Sequence, residues 1–527
     1  MGMGLQLCGC EKKTTEEDDE SKYHTKTEVE NTEETPKTKI ESPRITSSNN
    51  VKSLDDLMLI DRAILIGKGQ GNIKDKYEMG KKLGSGSYGQ VYLCINKRTK
   101  EKVAVKVIKK GKKNNNLNQN IIQEIDILKI LEHSNIINLF EFYEGKFNYY
   151  LVTEYCMNGN LFDFIRKSPN LISESRASVI LFQILSAINY CHSKKIIHRD
   201  IKPENIMLDM KLTSGYPLVK IIDFGTSKII ENEYENEFIG TPYFIAPEVI
   251  KKQYNNKCDL WSIGVLLYFI ITKKRPFTGK NFEEVFNNIQ NNEIDFNING
   301  LNNSSEELKD LITNLLKKNP DERLSAEEAL NHNWFIKNKT KEKLINLPTT
   351  EMTSLLDNIR LYNPKNKLQQ LTLAYLVINY PNANSVQKAS CLFIKLDKDN
   401  SGIIDTKEFV HGLKELYDEE GKNVDEEFII NNFKRIDSNN SGNIEYEEFI
   451  RAAVDKKEFL NENIMKEAFI HFDLDKNGNI SVDDISKVLG FKDHYSEFAA
   501  VIEECDIDQN GAVEYDEFIY IMEKILL

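Results

Sequence analysis

The spacing of apolar positions changes along the chain, and the change predicts two kinds of secondary structure. Residues 91–93 follow a glycine-rich turn, and a second apolar run occupies 103–108; short runs of this kind are typical of strands. Further along, apolar residues recur at helical spacing, as with Ile121, Ile125 and Leu128. The pattern predicts a region that begins with strands and continues as helices.

Helical spacing continues to about residue 335, and its most apolar stretch is 260–271. A bilayer requires about 20 apolar residues, so a stretch of about a dozen predicts a buried core helix instead. Residues 336–380 form a connecting segment, and helices alternate with Asp, Asn and Gly-rich loops over 381–527. We therefore expect a multidomain chain, with an α+β domain over 77–335 and an all-α domain over 381–527.

Residues 1–76 contain few large apolar side chains at their start and are predicted to form a disordered extension. Gly2 is the position that N-myristoylation requires, and Cys8 and Cys10 are then candidates for palmitoylation. Two acyl chains give stable anchoring, whereas one gives only marginal binding. Gln6 departs from the usual Ser or Thr, so an unmodified start is the alternative.

Charge is distributed unevenly. The whole chain carries a net charge of −13, yet residues 391–527 contain 15 Lys and Arg against 33 Asp and Glu, a net of −18 that leaves +5 for the remainder. Such an acidic region argues against nucleic acid as a partner and favours a cationic one, such as a metal ion or a basic peptide. Eight cysteines in 527 residues do not suggest a disulfide framework, so we expect a cytoplasmic protein. The candidate acylation sites predict that it associates with a membrane.

A series of phosphate-handling motifs runs through the first domain. One glycine turn of the type G-x-G-x-x-G-x-V is weak evidence by itself, but here it is followed by a strand lysine, a helix glutamate and three further motifs in a fixed order. In chain order they are 84–91 (GSGSYGQV), Lys106, Glu124, 198–205 (HRDIKPEN), 223–225 (DFG) and 246–248 (APE). This ordered set resembles the protein-kinase signature over residues 77–335.

The resemblance implies a bilobal α+β protein-kinase fold, ATP and Mg²⁺ as cofactors, and defined residue roles. Asp200 is expected to accept the proton of the substrate hydroxyl, and Lys202 to stabilise the group in transfer. The expected Mg²⁺ ligands are Asn205 and Asp223. The expected ATP-binding residues are Leu83, Gly84, Gly86, Gly89, Val91, Lys106, Glu124 and Glu154.

Two further features bear on specificity and control. The sequence Lys-Pro-Glu-Asn at 202–205 resembles serine/threonine kinases, and Asn160 stands where many relatives that prefer basic substrates carry a glutamate. The activation segment, residues 223–248, contains Glu231, Glu233, Glu235 and Glu237, where many kinases carry a phosphorylated residue. We expect a carboxylate to replace the phosphate there, and hence activity without phosphorylation of this loop.

Four segments of the acidic region fit the twelve-residue EF-hand loop: 397–408, 437–448, 473–484 and 506–517. Each has oxygen-bearing residues at the ligand positions and glycine at position 6. Each also has an apolar residue at position 8, where paired loops are expected to form a short two-stranded contact. The third loop ends in Asp484 rather than Glu. The predicted Ca²⁺ ligands are Asp397, Asp399, Ser401, Ile403, Asp405, Glu408, Asp437, Asn439, Ser441, Asn443, Glu445, Glu448, Asp473, Asp475, Asn477, Asn479, Ser481, Asp484, Asp506, Asp508, Asn510, Ala512, Glu514 and Glu517, of which Ile403, Asn443, Asn479 and Ala512 contribute a backbone carbonyl.

A kinase followed by four EF-hands resembles the calcium-dependent protein kinases of plants and of apicomplexan or ciliate protists. The resemblance implies a monomer that phosphorylates Ser or Thr of protein substrates. It further implies that segment 336–380 inhibits the kinase at low calcium and is released when the EF-hands bind Ca²⁺. A plain packing helix is the alternative for this junction. For the whole chain, the alternatives are a calcium-sensing scaffold with an inactive kinase fold and a kinase regulated by external calmodulin.

Overall fold

The computed structural model describes residues 62–86, 89–111, 116–209, 215–230, 234–345, 347–364, 366–419, 421–422, 424–489 and 495–524. The predicted lipidation residues Gly2, Cys8 and Cys10 lie outside these ranges. Among the described residues, no helix is both long and apolar enough to cross a bilayer.

Folded structure begins earlier in the chain than the sequence predicted. Residues 62–76 contain two short helices, α1 (Arg62–Leu65) and α2 (Ile73–Lys76). Leu65 and Ile66 are buried, which an extended and solvated tail would not allow. The prediction of disorder up to residue 76 is therefore wrong for this part. The prediction was based on composition. The segment has too few apolar residues for a helical spacing to be recognised from the sequence alone.

Five antiparallel strands form the small lobe in the order β1-β2-β3-β5-β4. Val103 and Val105 are buried on one face of the third strand, as the alternation of its apolar residues predicts. A long helix, α3, follows this strand, with Ile125 and Leu128 buried in the core. The elements are β1 (Tyr77–Gly86), β2 (Gly89–Asn96), β3 (Lys102–Lys109), α3 (Asn116–Ile130), β4 (Leu139–Glu144) and β5 (Asn148–Glu154).

The large lobe is mainly helical. The apolar stretch 260–271 lies within helix α7, whose residues from Cys258 to Thr272 are all buried, so the predicted core helix is confirmed. The elements are α4 (Leu161–Lys167), α5 (Glu174–Ser193), β6 (Ile196–Ile197), β7 (Ile206–Asp209), β8 (Leu218–Ile221), β9 (Lys228–Ile229), α6 (Pro247–Ile250), α7 (Lys257–Thr272), α8 (Phe282–Asn291), α9 (Glu306–Leu315), α10 (Ala326–Leu330), α11 (Asn333–Lys337) and α12 (Thr340–Leu344).

The connecting segment folds into helices α13 (Thr349–Leu361) and α14 (Lys367–Asn379). All residues of α14 from Leu368 to Ile378 except Gln370 are buried, which explains why apolar residues occur around most of this helix. The segment is therefore an integral part of the core and not an extended linker.

Four helix–loop–helix units follow, joined in two pairs by short antiparallel strands. Ile404 lies opposite Ile444 in the first pair, and Ile480 lies opposite Val513 in the second, which confirms the pairing predicted from loop position 8. The elements are α15 (Asn384–Leu396), β10 (Ile403–Asp405), α16 (Thr406–Glu419), α17 (Glu426–Ile436), β11 (Asn443–Glu445), α18 (Tyr446–Ala453), α19 (Glu462–Phe472), β12 (Asn479–Ile480), α20 (Val482–Leu489), α21 (Tyr495–Glu503), β13 (Val513–Glu514) and α22 (Tyr515–Glu523).

The first EF-hand pair packs against the end of α5 in the large lobe. Asn189 Nδ2 donates to the backbone oxygen of Asn400 at 2.8 Å, and Lys194 Nζ lies 2.8 Å from Glu445 Oε1. In the junction, α13 packs against α15 and α18, whereas α14 packs against α18, α19 and α1. The two EF-hand pairs, the junction and the two-lobed region therefore share interfaces.

Candidate functional site

The glycine-rich turn joins β1 to β2 and carries the predicted phosphate-binding residues. A Cβ atom on Gly89 would lie 2.3 Å from the carbonyl oxygen of Val107, so this position accepts only glycine without a shift of the backbone. Gly84 and Val91 face one another across the two strands. Leu83 is 40% exposed, as expected for an apolar residue at the edge of an open site.

Lys106 of β3 lies between two carboxylates. Its Nζ atom is 2.6 Å from Glu124 Oε1 on α3 and 2.8 Å from Asp223 Oδ1. Burial opposes the charge of the lysine, but the two carboxylates outweigh it and raise the pKa of Lys106 above its usual value. The lysine is therefore held as a cation, and the pair with Glu124 fixes the position of α3 relative to the sheet.

The catalytic loop brings its predicted residues together around Asp200. Lys202 Nζ lies 3.0 Å from Asp200 Oδ2, and Asn205 Nδ2 donates to the same oxygen at 3.1 Å. Thr241 Oγ1 donates to Asp200 Oδ1 at 2.6 Å and accepts from Lys202 Nζ at 2.9 Å. Thr241 lies 41 residues from Asp200, and no motif used in the sequence analysis included it.

Asp259, a second residue that the sequence motifs did not include, holds the backbone of the loop at 198–205. Asp259 is fully buried in α7 and accepts hydrogen bonds from the backbone N–H groups of His198 and Arg199, at 3.0 and 2.9 Å. His192 Nε2 lies 2.9 Å from the same carboxylate. These partners hold the pKa of Asp259 below its usual value although burial acts in the opposite direction. An aspartate within an otherwise apolar helix was the signal that would have found it.

The carboxylate of Glu154 does not face the nucleotide site. Its Oε1 atom accepts from the backbone N–H of Asn138 at 2.8 Å and lies 2.9 Å from Lys220 Nζ, and the side chain is buried. Glu154 was predicted to be an ATP-binding residue, and the partners of its carboxylate do not support this role for the side chain. Its main chain pairs with Val103 of β3. The side chain instead ties the end of β5 to the large lobe.

The activation segment contacts the catalytic loop through one of the predicted glutamates. Glu237 Oε2 lies 2.7 Å from Arg199 Nη1, and Arg199 Nε donates to the backbone oxygen of Thr226 at 2.6 Å. Glu235 pairs instead with Lys228, at 2.6 Å. Glu231 and Glu233 lie outside the described residues.

The four candidate calcium loops share one backbone geometry. The glycines at position 6 have φ values of +82°, +81°, +93° and +91°, in the left-handed region that favours glycine. One ligand oxygen from each of Asp397, Asp399 and Glu408 lies within 4.8 Å of the others in the first loop, and Asp506, Asp508 and Glu517 form the same cluster in the fourth. Hard oxygen ligands of this kind suit Ca²⁺.

The second and third loops end in different residues, Glu448 and Asp484. Glu448 Oε1 accepts from the backbone N–H of Ser438 at 2.9 Å, and its Oε2 accepts from that of Glu445 at 3.1 Å. In the third loop, Asp484 is fully buried and accepts from the N–H groups of Leu474 and Ser481 at 3.2 and 3.0 Å. The shorter aspartate thus occupies the same place as the glutamate.

Comparison with known proteins agrees with this arrangement. Residues 77–335 match the protein kinase domain family, and residues 386–454 and 462–523 match the EF-hand domain pair. Fold and site together define a protein kinase that carries EF-hand pairs on the same chain.

Relatives share this whole organisation. The chain is 34% identical over 462 residues to calcium-dependent protein kinase 4 of Plasmodium falciparum, covering 86% of this chain and 87% of that protein. It is 35% identical over 489 residues to calcium-dependent protein kinase 5 of the same organism, covering 92% and 84%. It is 36% identical over 463 residues to calcium-dependent protein kinase 3 of Plasmodium berghei, covering 86% and 81%. The chain belongs to the calcium-dependent protein kinase family.

Proposed function

We propose that this protein is a calcium-activated serine/threonine kinase that transfers the γ-phosphoryl group of ATP to protein substrates. The observation that carries the proposal is the joint presence of Lys106 paired with Glu124 and of Asp200 surrounded by Lys202, Asn205 and Thr241. A protein that kept the kinase fold only as a scaffold would not need these charged residues to contact one another. Phosphoryl transfer depends mainly on alignment and charge neutralisation, which these contacts provide.

Each residue has a separate task in this proposal. Asp200 accepts the proton of the substrate hydroxyl, and Lys202 balances negative charge beside it. Lys106 holds the α- and β-phosphates, while Gly84, Gly86 and Gly89 let backbone N–H groups approach them. Asn205 and Asp223 supply the oxygen ligands that Mg²⁺ prefers, and the ion neutralises phosphate charge when bound.

Calcium control is proposed to act through the junction of residues 336–380. In support, α13 and α14 pack against EF-hand helices, so the EF-hand region holds the junction in this arrangement. At low calcium the EF-hands would release it, and the junction would then inhibit the kinase. An external calmodulin is not needed for this mechanism, since the partner of the junction is already on the chain.

One assay tests the function and separates the alternatives. Purified full-length protein should transfer ³²P from γ-labelled ATP to a Ser-containing peptide with Ca²⁺ and lose the activity with a calcium chelator, without added calmodulin. A requirement for added calmodulin would favour the externally regulated kinase. Absence of transfer under all conditions, together with intact calcium binding, would favour the scaffold.

We also propose that Gly2 is myristoylated and that Cys8 and Cys10 are palmitoylated, which would place the kinase at a membrane surface. The pattern Met-Gly at the start and two nearby cysteines support this. Metabolic labelling with a myristate analogue should label the wild type and not Gly2→Ala. Equal labelling of both proteins would contradict the proposal.

A further inference from the structure

The residues before β1 contact three separate parts of the molecule. We call residues 62–69 the N-terminal strap. Its helix α1 packs against α3 of the small lobe, α14 of the junction and α20 of the third EF-hand. At its end, the N–H of Gly69 donates to the backbone oxygen of Phe142 in β4 at 2.7 Å. The strap therefore joins the small lobe to the EF-hand region.

Arg62 is the buried cation of the strap, whereas Lys68 pairs with Glu144 at the surface. Arg62 is only 2% exposed, and its Nη1 atom donates to Glu447 Oε1, a residue 385 positions away in α18. Its Nη2 atom donates to Asn138 Oδ1 at 3.4 Å. Asn138 in turn donates its backbone N–H to Glu154 at the end of β5. A chain of hydrogen bonds thus runs from the second EF-hand to the strand that borders the nucleotide site.

Glu447 directly precedes Glu448, the last predicted ligand of the second calcium loop. Its carboxylate is buried in an acidic neighbourhood. The negative charge of Glu445 acts against the charge of this carboxylate, whereas the positive charges of Arg62 and Arg451 favour it. Removal of Arg62 would take away the hydrogen bond of this buried carboxylate and leave Arg451 as the remaining cation beside it, which disfavours this packing.

The apolar side of the strap reaches the helix that carries Glu124. Leu65 and Ile66 are 1% and 0% exposed and belong to the same buried cluster as Ile125 and Leu128 of α3. The position of α3 decides whether Glu124 meets Lys106. A change in the position of the strap would therefore move Glu124, the residue that pairs with Lys106.

We infer that Arg62 is a positioning residue that couples the docked EF-hand region to α3 and thereby stabilises the Lys106–Glu124 pair. The strap fastens the second EF-hand to the small lobe when the two regions are docked. Because coupling between two sites is reciprocal, docking also raises the calcium affinity of the second loop. This inference deepens the proposed function and rests on it for its activity readout.

The primary test is Arg62→Met in the full-length chain, assayed for activity across a calcium titration. The calcium concentration for half-maximal activity should rise at least about five-fold, the lower range of measured coupling between sites. The activity at saturating calcium should change much less, because excess calcium restores the docked state. A purely structural defect would lower activity by the same factor at every calcium concentration, and that result would overturn the inference.

Arg98→Met is the matched control. Arg98 Nε lies 3.1 Å from Glu467 Oε1 in α19, so it also joins the small lobe to the EF-hand region, but its side chain is 39% exposed and it lies outside the strap. Its half-activating calcium concentration should stay within about two-fold of the wild type, since exposed ion pairs contribute little. An equal shift in both variants would mean that any contact between the two regions has this effect, which would contradict a specific role for Arg62.

A double variant keeps the test decisive if Arg62→Met folds poorly. Apolar replacement of both members of a buried ion pair is often tolerated, whereas loss of one member is not. Arg62→Met combined with Glu447→Leu should therefore show a smaller calcium shift than Arg62→Met alone. Additive shifts would overturn the pairing.

Hydrogen exchange of α3 provides a readout that does not depend on catalysis. In the calcium-loaded protein, backbone amides of α3 should exchange faster in Arg62→Met than in the wild type or in Arg98→Met. If the wild type showed no calcium-dependent activity, the proposed function would fail, and this measurement would still decide the coupling. Equal exchange in all three proteins would refute it.

Discussion

Glu237 Oε2 lies 2.7 Å from Arg199 Nη1, so a carboxylate of the activation segment lies beside the arginine that precedes Asp200, the proposed general base. The side chain of Arg199 is 6% exposed and that of Glu237 is 51% exposed. The pair is therefore partly screened by solvent, and its contribution is moderate rather than large. It nevertheless gives the loop an anionic contact that does not depend on phosphorylation.

The first prediction concerns this pair. Glu237→Gln should lower kcat about three- to ten-fold at saturating calcium, because a charge-assisted hydrogen bond that orders the loop is weakened. Wild-type protein treated with a phosphatase should remain active with calcium. Glu101→Gln, at an exposed turn position, is the control and should retain full activity. Phosphatase treatment that abolishes activity would show that a phosphate is required after all.

Thr241 tests the hydrogen bonds around the proposed base. Asp200→Asn should reduce kcat by about 10²–10⁴-fold, the usual contribution of general base catalysis, with calcium binding unchanged. Thr241→Ala should reduce kcat less, because Thr241 orients Asp200 and Lys202 without accepting the proton. Thr241→Ser keeps the hydroxyl and should recover most of the activity. Steady-state kinetics of the three variants measure these effects, and a Ser variant as impaired as the Ala variant would assign the loss to packing.

The third calcium loop should bind Ca²⁺ less tightly than the others because Asp484 reaches a bidentate geometry with more difficulty than glutamate. Asp484→Glu should raise its calcium affinity about ten-fold and reduce Mg²⁺ binding. Glu448→Asp in the second loop is the reciprocal variant and should weaken that loop. Calorimetric titration with Ca²⁺ in the presence and absence of Mg²⁺ compares them. A third loop that is already the tightest site in the wild type would contradict this prediction.

Two truncations test the junction. A chain that ends at residue 345 lacks α13 and α14 and should be active to the same extent with and without calcium. A chain that ends at residue 380 keeps both helices but lacks the EF-hands, and it should be inactive in both conditions if the junction inhibits. Because the shorter chain also loses the partner of the strap, its activity should stay below that of the calcium-loaded full-length protein. Equal activity of the two truncations would show that the junction does not inhibit.

Local sequence order was sufficient for the motifs and the calcium loops. A phosphate-binding turn, a catalytic loop and a twelve-residue EF-hand loop each depend on residues that are close in sequence, and their spacing is set by backbone geometry. For the same reason, the pairing of Ile404 with Ile444 could be predicted from loop position 8. The glutamates of the activation segment were also recognised, but only the structure assigned Glu237 to Arg199 and Glu235 to Lys228.

The residues that were missed act across long separations in the chain. Asp259 supports backbone N–H groups 60 residues earlier, and Arg62 meets Glu447 across 385 residues. Glu154 was predicted to be an ATP-binding residue, whereas the structure turns its side chain towards Lys220. None of these contacts leaves a local period or spacing in the sequence.

The sequence by itself determined the class of chemistry and the family and predicted the residues that carry both, because these follow from short segments with strict internal geometry. Only the tertiary structure decided where the EF-hand region docks, that folding begins at least as early as Arg62, and that Thr241 completes the hydrogen bonds of Asp200. Those features depend on which buried charges and apolar faces meet after the whole chain has folded. Packing between segments that are distant in the chain decides which of these groups meet, and the local spacing of residues in the sequence does not reveal it.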